Sequence, residues 1–476
     1  MRASRKVLFV ACATALVGGC ATYRPEPISA DNSAATLESR TLDDSRLQQF
    51  IELGLARDGK PDPASPWDLS KLVLAALYYH PDLDIARAKL AASRAGVITA
   101  GQIPNPSVGV PLTYNSTVTT PSPWTIGVMI NFLLETAGRR RYRTAQARAM
   151  TEAAREDLAT AGWQVRGRVR TELLNLWAAE QKLRLAKERL SLQDQLAGLL
   201  ERRFAVGEAS SLDVTRERIN RNQASLALRD AERQSGEARA RLATAIGVPV
   251  RALDDVKFAF DAFDNPVLLD AEATAGELRR QALLNRTDVQ GLLAEYAAAQ
   301  SALQLQVASR FPNMILGPGY TYDQGGKKYN LDLSAELPVF NQNQGPIAEA
   351  KAGREKIAAR FTALQAQIIG SLDAAVASYR AATRTLTTAD ALLTGGEQRE
   401  RQISRSFEAG QVDRPTLVTA ELELAAIRLS KLDALILQRR ALGSLEDALQ
   451  QPLFDPGRWP SVPEQNPRIV HTEPSS

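Results

Sequence analysis

Apolar positions follow two rhythms along this chain, one helical and one extended. Between Arg139 and Phe204, Val169, Leu176, Leu183, Leu190, Ala197 and Phe204 lie seven apart, and so do Ala178, Leu185, Leu192 and Leu199. Sevenfold recurrence is the signal of helices packed along their length. No proline interrupts the stretch between Pro123 and Pro249 or that between Pro346 and Pro415, and both are rich in Ala, Leu, Arg, Glu and Gln, strong helix formers. A continuous helix over 139–204 would be about 100 Å long at 1.5 Å per residue, too long to hide inside a compact domain. Two stripes on different flanks predict a helix with a neighbour on each side, like a stave in a tube; a lone two-stranded coiled coil would need only one.

The extended rhythm occupies shorter segments. Val108, Val110, Leu112 and Tyr114 alternate with Ser107, Gly109, Pro111 and Thr113; Trp124, Ile126, Val128, Ile130 and Phe132 alternate with Thr125, Gly127, Met129 and Asn131. Farther on, Tyr329, Leu331, Leu333, Ala335 and Leu337 alternate with Asn330, Asp332, Ser334 and Glu336. One apolar and one polar or small face over about ten residues is the pattern of a strand in a membrane barrel, lipid outside and water inside. A surface hairpin on a soluble domain alternates too. If the strands do span a membrane, four cannot close a barrel, because spanning barrels begin at about eight, and open edges in hydrocarbon leave backbone groups unpaired. Several chains must then pool their strands.

The chain also repeats itself. Ala76-Leu77, Asp82 and Ala91-Ala92 recur as Ala282-Leu283, Asp288 and Ala297-Ala298, and Pro104-Asn105 recurs as Pro312-Asn313. Phe204, Gly207, Leu226, Asp230, Ala238, Leu242 and Pro249 reappear at one fixed offset as Phe407, Gly410, Leu429, Asp433, Ala441, Leu445 and Pro452. Such self-similarity marks a duplicated structural unit. The expected units are 69–249 and 272–452, joined by a linker at 250–271 and followed by a polar tail at 453–476. Each runs through a helical stretch (Leu69 to Ala100; Ala273 to Ser309), a proline, two strands and two long helices.

Composition narrows the setting. The 476 residues are 44% hydrophobic and 24% charged, with a formal net charge of +4. Removing Arg2, Arg5 and Lys6 lowers that charge to about +1, so the basic balance is no nucleic-acid footprint. Those three residues belong to a secretory-signal layout: a basic start, an apolar run from Val7 to Val17, then Gly18-Gly19. The run is too short for a spanning helix. Leu16-Val17-Gly18-Gly19-Cys20 resembles the bacterial lipobox, in which the cysteine is acylated and becomes the new N-terminus. This makes 1–19 a signal peptide and 20–68 an acylated N-terminal segment; the other reading is a signal cut elsewhere. Ala21 after the cysteine, by the same resemblance, favours sorting to the outer membrane.

Catalytic chemistry finds little to build on. The two histidines, His80 and His471, lack partners in the sequence for a triad or a metal site, and nothing calls for a metal or cofactor. Gly325-Gly326-Lys327-Lys328 lacks the features of a phosphate loop and reads as an exposed turn between two strands. Energy for any transport must come from a partner.

Taken together, these residues resemble the TolC-type outer-membrane factors of tripartite efflux pumps and type I secretion systems, over roughly 69–452. The resemblance rests on the duplicated order of elements, the Pro104-Asn105 and Pro312-Asn313 entries to the strands, and the lipobox. It rests also on helical hairpins at Val206-Gly207 through Asp213-Val214 and at Ala409-Gly410 through Thr416-Leu417. It implies a mainly α fold with a barrel portion. In a homotrimer, four strands per chain would make one twelve-stranded barrel, continued by an α-helical tube into the periplasm. The implied partners are a periplasmic adaptor, an inner-membrane pump of the RND type and outer-membrane lipid. Phe132 to Arg140 (FLLETAGRR) is similar to the segment after the second strand in heavy-metal, CzcC-like members. Adaptor docking is expected at the hairpins, on Gly207, Glu208, Ser211, Asp213, Gly410, Gln411 and Asp413. Relatives often close the tube with aspartates after the second hairpin glycine, where this chain has Thr416 and Thr419; Glu421 and Glu423, with Asp213 and Arg216, supply the charges instead or form a solvated helix face. The alternative functions are a type I secretion duct and a pore-free structural lipoprotein spanning the periplasm as a rod.

Replacing Cys20 by Ser should remove the lipid and slow maturation while leaving part of the channel function, because a barrel of about twelve strands is itself a strong anchor. Fractionation checks this, and full release into the soluble periplasm would show that the strands do not insert.

Overall fold

A computed structural model describes residues 23, 25–55, 65–117, 121–264, 275–453 and 462–468. Cys20, the signal segment, 265–271 of the linker and His471 lie outside them. Two helices, α1 (Ala30–Glu38) and α2 (Ser45–Leu55), precede the first repeat. The helical stretch that opens it consists of two helices, α3 (Leu69–Tyr79) and α4 (Pro81–Gly101). His80 sits between them in an extended conformation (φ −69°, ψ 126°). The residue before a proline is disfavoured in the helical region, and Pro81 then starts the next helix.

Extended backbone follows: β1 (Ser107–Gly109), β2 (Leu112–Tyr114) and β3 (Trp124–Leu134). β1 and β2 were expected as one strand, and they keep one register against β3: Val108 lies opposite Ile130 and Leu112 opposite Ile126. The interruption falls at Pro111, which has no N–H to give the ladder. Then come α5 (Arg139–Ala205), 67 residues without a break, and α6 (Ser211–Ile246). The linker holds a 3-10 turn at Val250–Leu253 and the short α7 (Asp261–Asp264).

The second repeat has the same order. α8 (Ala275–Asn285) and α9 (Thr287–Ala308) again divide the helical stretch, here at Arg286. β4 (Met314–Asp323) and β5 (Gly326–Ala335) form a hairpin, and α10 (Gln344–Glu408) and α11 (Arg414–Leu449) complete the unit. The antiparallel sheet runs β1/β2, β3, β4, β5, four strand positions with β1/β2 and β5 as its edges. Gln324 and Gly325, both at positive φ, make the tight turn, so Gly326 already belongs to the strand.

α5 is the axle of the molecule. It packs against α3, α4, α6, α9 and α11, and its middle carries the core residues Val165, Val169, Leu173, Leu176 and Trp177. Leu72 and Leu77 of α3, Leu242 and Ile246 of α6, and Leu442 and Leu445 of α11 close around them. Charges are buried at this crossing. Glu446, fully buried, accepts from Arg166 and from Arg170 (2.8 Å) and takes the Leu453 N–H (2.7 Å), while Arg170 also reaches Asp447 (2.7 Å). A buried carboxylate survives only when paired and hydrogen-bonded.

The tail, read as merely polar, contributes a docked segment. Val462 packs on Gly162, the Pro463 carbonyl accepts from Arg87 (3.0 Å), Glu464 bridges Arg94 on α4 and Arg155 on α5, and Arg468 pairs with Asp84. Among the described residues no helix is long and apolar enough to cross a membrane. The sheet, by contrast, turns its apolar face outward: Trp124, Ile126, Val128, Ile130, Phe132 and Leu134 are all exposed, and the residues between them are not.

Arginine at Val128 or Leu333, on that outward face, should cost about 2–4 kcal/mol per chain near the membrane midplane and lower the yield of assembled protein. Arginine at Thr125 or Ser334 should be tolerated. Equal losses from both faces in a membrane-assembly assay would overturn the assignment.

Candidate functional site

Antiparallel partners share a face, so the register assigns every strand residue to one side or the other. Ile126, Val128 and Phe132 lie opposite Tyr322, Tyr320 and Leu316, which lie opposite Lys327, Tyr329 and Leu333. The other face is mostly polar or small, with Met129 and, toward the helices, Leu133 and Ile315 as its apolar residues. Thr125 donates to Asp323 (2.7 Å), which also takes the Lys328 ammonium (2.6 Å), and Asn330 donates to Thr321 (2.9 Å). Gly317 keeps space there: a Cβ on it would sit 2.6 Å from the Asn131 side-chain oxygen. One face fits hydrocarbon and the other water.

Beneath the sheet the helices are tied to the strands by caps. Thr136 donates to the Pro312 carbonyl (2.6 Å), and Arg139 reaches the carbonyls of Ser309 (3.0 Å) and Phe311 at the end of α9. Arg143, held by Glu135 (2.6 Å), satisfies the carbonyls of Ala100 (2.8 Å) and Gln102 (3.1 Å) at the end of α4. The repeated prolines are therefore treated unequally within one chain: Pro312 and Asn313 line a cavity of about 680 Å³ with Arg139 and Asn343, whereas Asn105 is exposed beside a half-buried Pro104.

At the far end of the long helices the two hairpins share one construction. Gly207 (φ 79°) and Gly410 (φ 70°) take the left-handed conformation that ends α5 and α10, and the N–H groups of Glu208 and Gln411 return to the carbonyls of Arg203 and Ser406 (both 2.8 Å). The next helices are capped by Ser210 and by Asp413, and Arg414 and Pro415 open the second of them. The Ser210 hydroxyl holds the Asp213 carboxyl below its usual range, and the Thr416 hydroxyl (2.6 Å), with the Thr416 N–H, does the same for Asp413.

Sequence-selected tip residues thus divide. Asp413 and Asp213 work in caps, and Asp413 also pairs with Arg203 (2.6 Å) across the hairpins. Glu208, Ser211 and Gln411 are exposed, with Arg203 3.8 Å from Glu208. Of the residues considered for closing the tube, Thr416 serves the Asp413 cap, Thr419 donates to the Pro415 carbonyl (2.8 Å), and Glu423 pairs with Arg399 (3.1 Å). Arg216 is exposed and Glu421 half-buried. Sequence reasoning missed the ties between α5 and α11: Lys182 with Asp433 (2.8 Å), Glu188 with Arg428 (2.7 Å) and Arg203 with Asp413. The sevenfold pattern places those charges on flanks but does not say which flanks face. Among the described residues no group of His, Cys, Asp and Glu side chains is placed to hold a metal ion.

Residues 72–248 match the family described as outer membrane efflux protein. The chain is 25% identical over 383 residues to the cobalt-zinc-cadmium resistance protein CzcC of Cupriavidus metallidurans, covering 79% of this chain and 88% of that protein. It is 24% identical over 485 residues to the pyoverdine export outer membrane protein OpmQ of Pseudomonas aeruginosa, covering 92% and 97%. Its fold is similar to that of the outer-membrane channel OprN, with a TM-score of 0.67 at 19% identity over 91% of this chain and 99% of that one.

Replacing Asp413 by Ala should cost about 1 kcal/mol of local helix stability and speed amide exchange in the first turn of α11 about fivefold. Because the folded-state pKa of Asp413 is depressed, its cap is intact above the ordinary carboxylate range and is lost as pH falls through the lowered value. Acidification should therefore reproduce the change in the wild type and not in the variant, as hydrogen exchange can check.

Proposed function

We propose that the chain, whose residues 72–248 match the outer membrane efflux protein family, is the exit duct of a tripartite efflux system. It conducts passively what an inner-membrane pump and a periplasmic adaptor deliver, and it does no chemistry of its own. The observation that carries this reading is the sheet with one apolar and one water-compatible face, continuous with a helix of about 100 Å. A homotrimer pools twelve strand positions into one barrel, anchored in addition by a lipid at Cys20. A pore-free rod would have no use for an outward apolar band on a four-strand sheet.

Cargo is set by the pump. The named relatives serve different solutes, cobalt, zinc and cadmium resistance in one and pyoverdine export in the other, at nearly equal identity to this chain. The adaptor docks on the hairpin tips through Glu208, Ser211 and Gln411, which the caps leave exposed. The periplasmic constriction lies at the same end, and Arg216 and Glu421 are its candidate charged groups among the described residues, since Asp213, Thr416, Thr419 and Glu423 are committed elsewhere.

Purified protein in a planar bilayer should give discrete conductance steps, and Glu208→Lys with Gln411→Lys should preserve the amount of trimer while abolishing export and crosslinking to the adaptor. Absence of conductance from a well-formed trimer would favour the rod. Normal export by the tip variant would remove the tips as the docking surface.

A further inference from the structure

The two edges of the sheet are unpaired, and the internal repeat states how they meet. Pro104-Asn105 matches Pro312-Asn313, which places Val108 over Leu316 and Leu112 over Tyr320. The pairings within each repeat agree: Val108 opposite Ile130 becomes Leu316 opposite Leu333, and Leu112 opposite Ile126 becomes Tyr320 opposite Tyr329. The shift that carries Ile130 to Leu333 and Ile126 to Tyr329 is the same one that carries Gly207 to Gly410. Between the repeats, the β3–β4 seam sets Phe132 against Leu316, Val128 against Tyr320 and Ile126 against Tyr322.

Resting on the trimeric reading above, we propose that the β3–β4 seam inside the chain is the template for the seam between subunits. Carrying each residue to its repeat counterpart, Val108 meets Ala335 of the partner subunit, Val110 the partner's Leu333, Leu112 the partner's Leu331 and Tyr114 the partner's Tyr329. Every such pair joins two outward, apolar or aromatic residues. The backbone agrees as well. Gly127 donates to the Pro111 carbonyl (2.9 Å), so Pro111 faces β3 and its neighbours Val110 and Leu112 turn their N–H and C=O groups to the open edge. On β5 the pair Asp323 and Gly326 closes the two-residue turn, so Lys328, Asn330 and Asp332 bond toward β4 and Leu331 and Leu333 face outward.

A one-residue slip would set apolar residues against polar ones and turn backbone groups away from each other, so competing registers differ by two. The inferred register has a visible benefit at the rim. Tyr114 and Trp124 pack ring against tilted ring (centroids 4.9 Å apart), as do Tyr320 and Tyr329 (5.3 Å), and the seam joins these pairs into one aromatic belt around the barrel. Pro111 and Asp332 then meet across the seam, and Pro111 loses no bond there because its nitrogen faces the other way. This explains a proline in the strand: it interrupts the ladder with β3 and spares the contact between subunits.

Cysteine pairs test the register. Thr113 and Asn330 of the partner subunit fall directly opposite on the water side, in a non-bonded pair with Cα atoms about 4.5 Å apart, within disulfide range. A two-residue slip moves them about 7–8 Å apart, beyond it. Full-length protein carrying Thr113→Cys with Asn330→Cys should give oxidation-dependent covalent dimers and trimers on denaturing gels, at roughly tenfold the yield of Thr113→Cys with Asp332→Cys or with Lys328→Cys. Single-cysteine variants, which retain Cys20, set the background. Equal or better bridging by a shifted pair in a protein that still forms trimers overturns the register alone. Protein that forms no trimer before oxidation overturns the channel reading and the seam with it.

Discussion

Backbone groups in hydrocarbon must be hydrogen-bonded, since no water is present to take their place and each unsatisfied group costs several kcal/mol. A sheet of four strand positions with an outward apolar band has two edges that violate this condition as long as the chain is alone. Much else in the molecule follows from meeting it. The strands come in hairpin-like pairs from each repeat, so that the seam between repeats and a seam between copies can be built alike. The flank of α10 has few buried residues, among them Ile368, Leu372, Ala375 and Ala382, whereas the middle of α5 is enclosed on several sides. The two helices are equivalent in the repeat but not in their surroundings, because α5 has both of its neighbours within the chain.

The second constraint is mechanical. Helices of 67 and 65 residues run far beyond the core, which among the described residues centres where α3, α5, α6 and α11 cross and takes in Leu83 and Leu90 of α4 and Ile368 and Leu372 of α10. There the packing is supplemented by Glu446 between Arg166 and Arg170. Buried ion clusters contribute little net stability against an apolar alternative, but losing one partner leaves an uncompensated charge. Their geometric demands are strict, which suits a crossing where α11 must keep its angle to α5. Gly443 and Gly167 allow that approach, since a Cβ on either would sit 3.0–3.1 Å from Arg170 or Asp447.

Periodicity made the long helices, the strands and the duplication readable from the sequence, because each of them imposes a rhythm on many residues. The break at His80 is signalled by Pro81; the matching break at Arg286 has no proline, and its guanidinium instead reaches the Ala448 carbonyl (2.7 Å) at the end of α11. Nothing in the spacing marks Arg166 and Arg170 apart from the other charges of α5, and the crossing of α11 buries them. The docked segment at 462–468 holds on through Glu464, Arg468 and the Pro463 carbonyl as well as through Val462, and its polar composition points to solvent. In the tips, the hairpin glycines stand out in the sequence, while the role of Ser210 as the cap depends on where the turn ends.

A duct needs no reactive constellation, only walls, seams and ends, and its chemistry is correspondingly dispersed. This is why single-residue motifs said little here and spacing said much. Walls show as alternation, seams as repetition and ends as glycine followed by a cap. The tips combine two demands on a few residues, since a chain that must reverse there needs Gly207, Ser210, Gly410 and Asp413 for folding whether or not anything binds. What remains for recognition is the set that folding does not use. Glu208, Ser211 and Gln411 are exposed and take no part in the caps, which is why the proposed docking surface is placed on them.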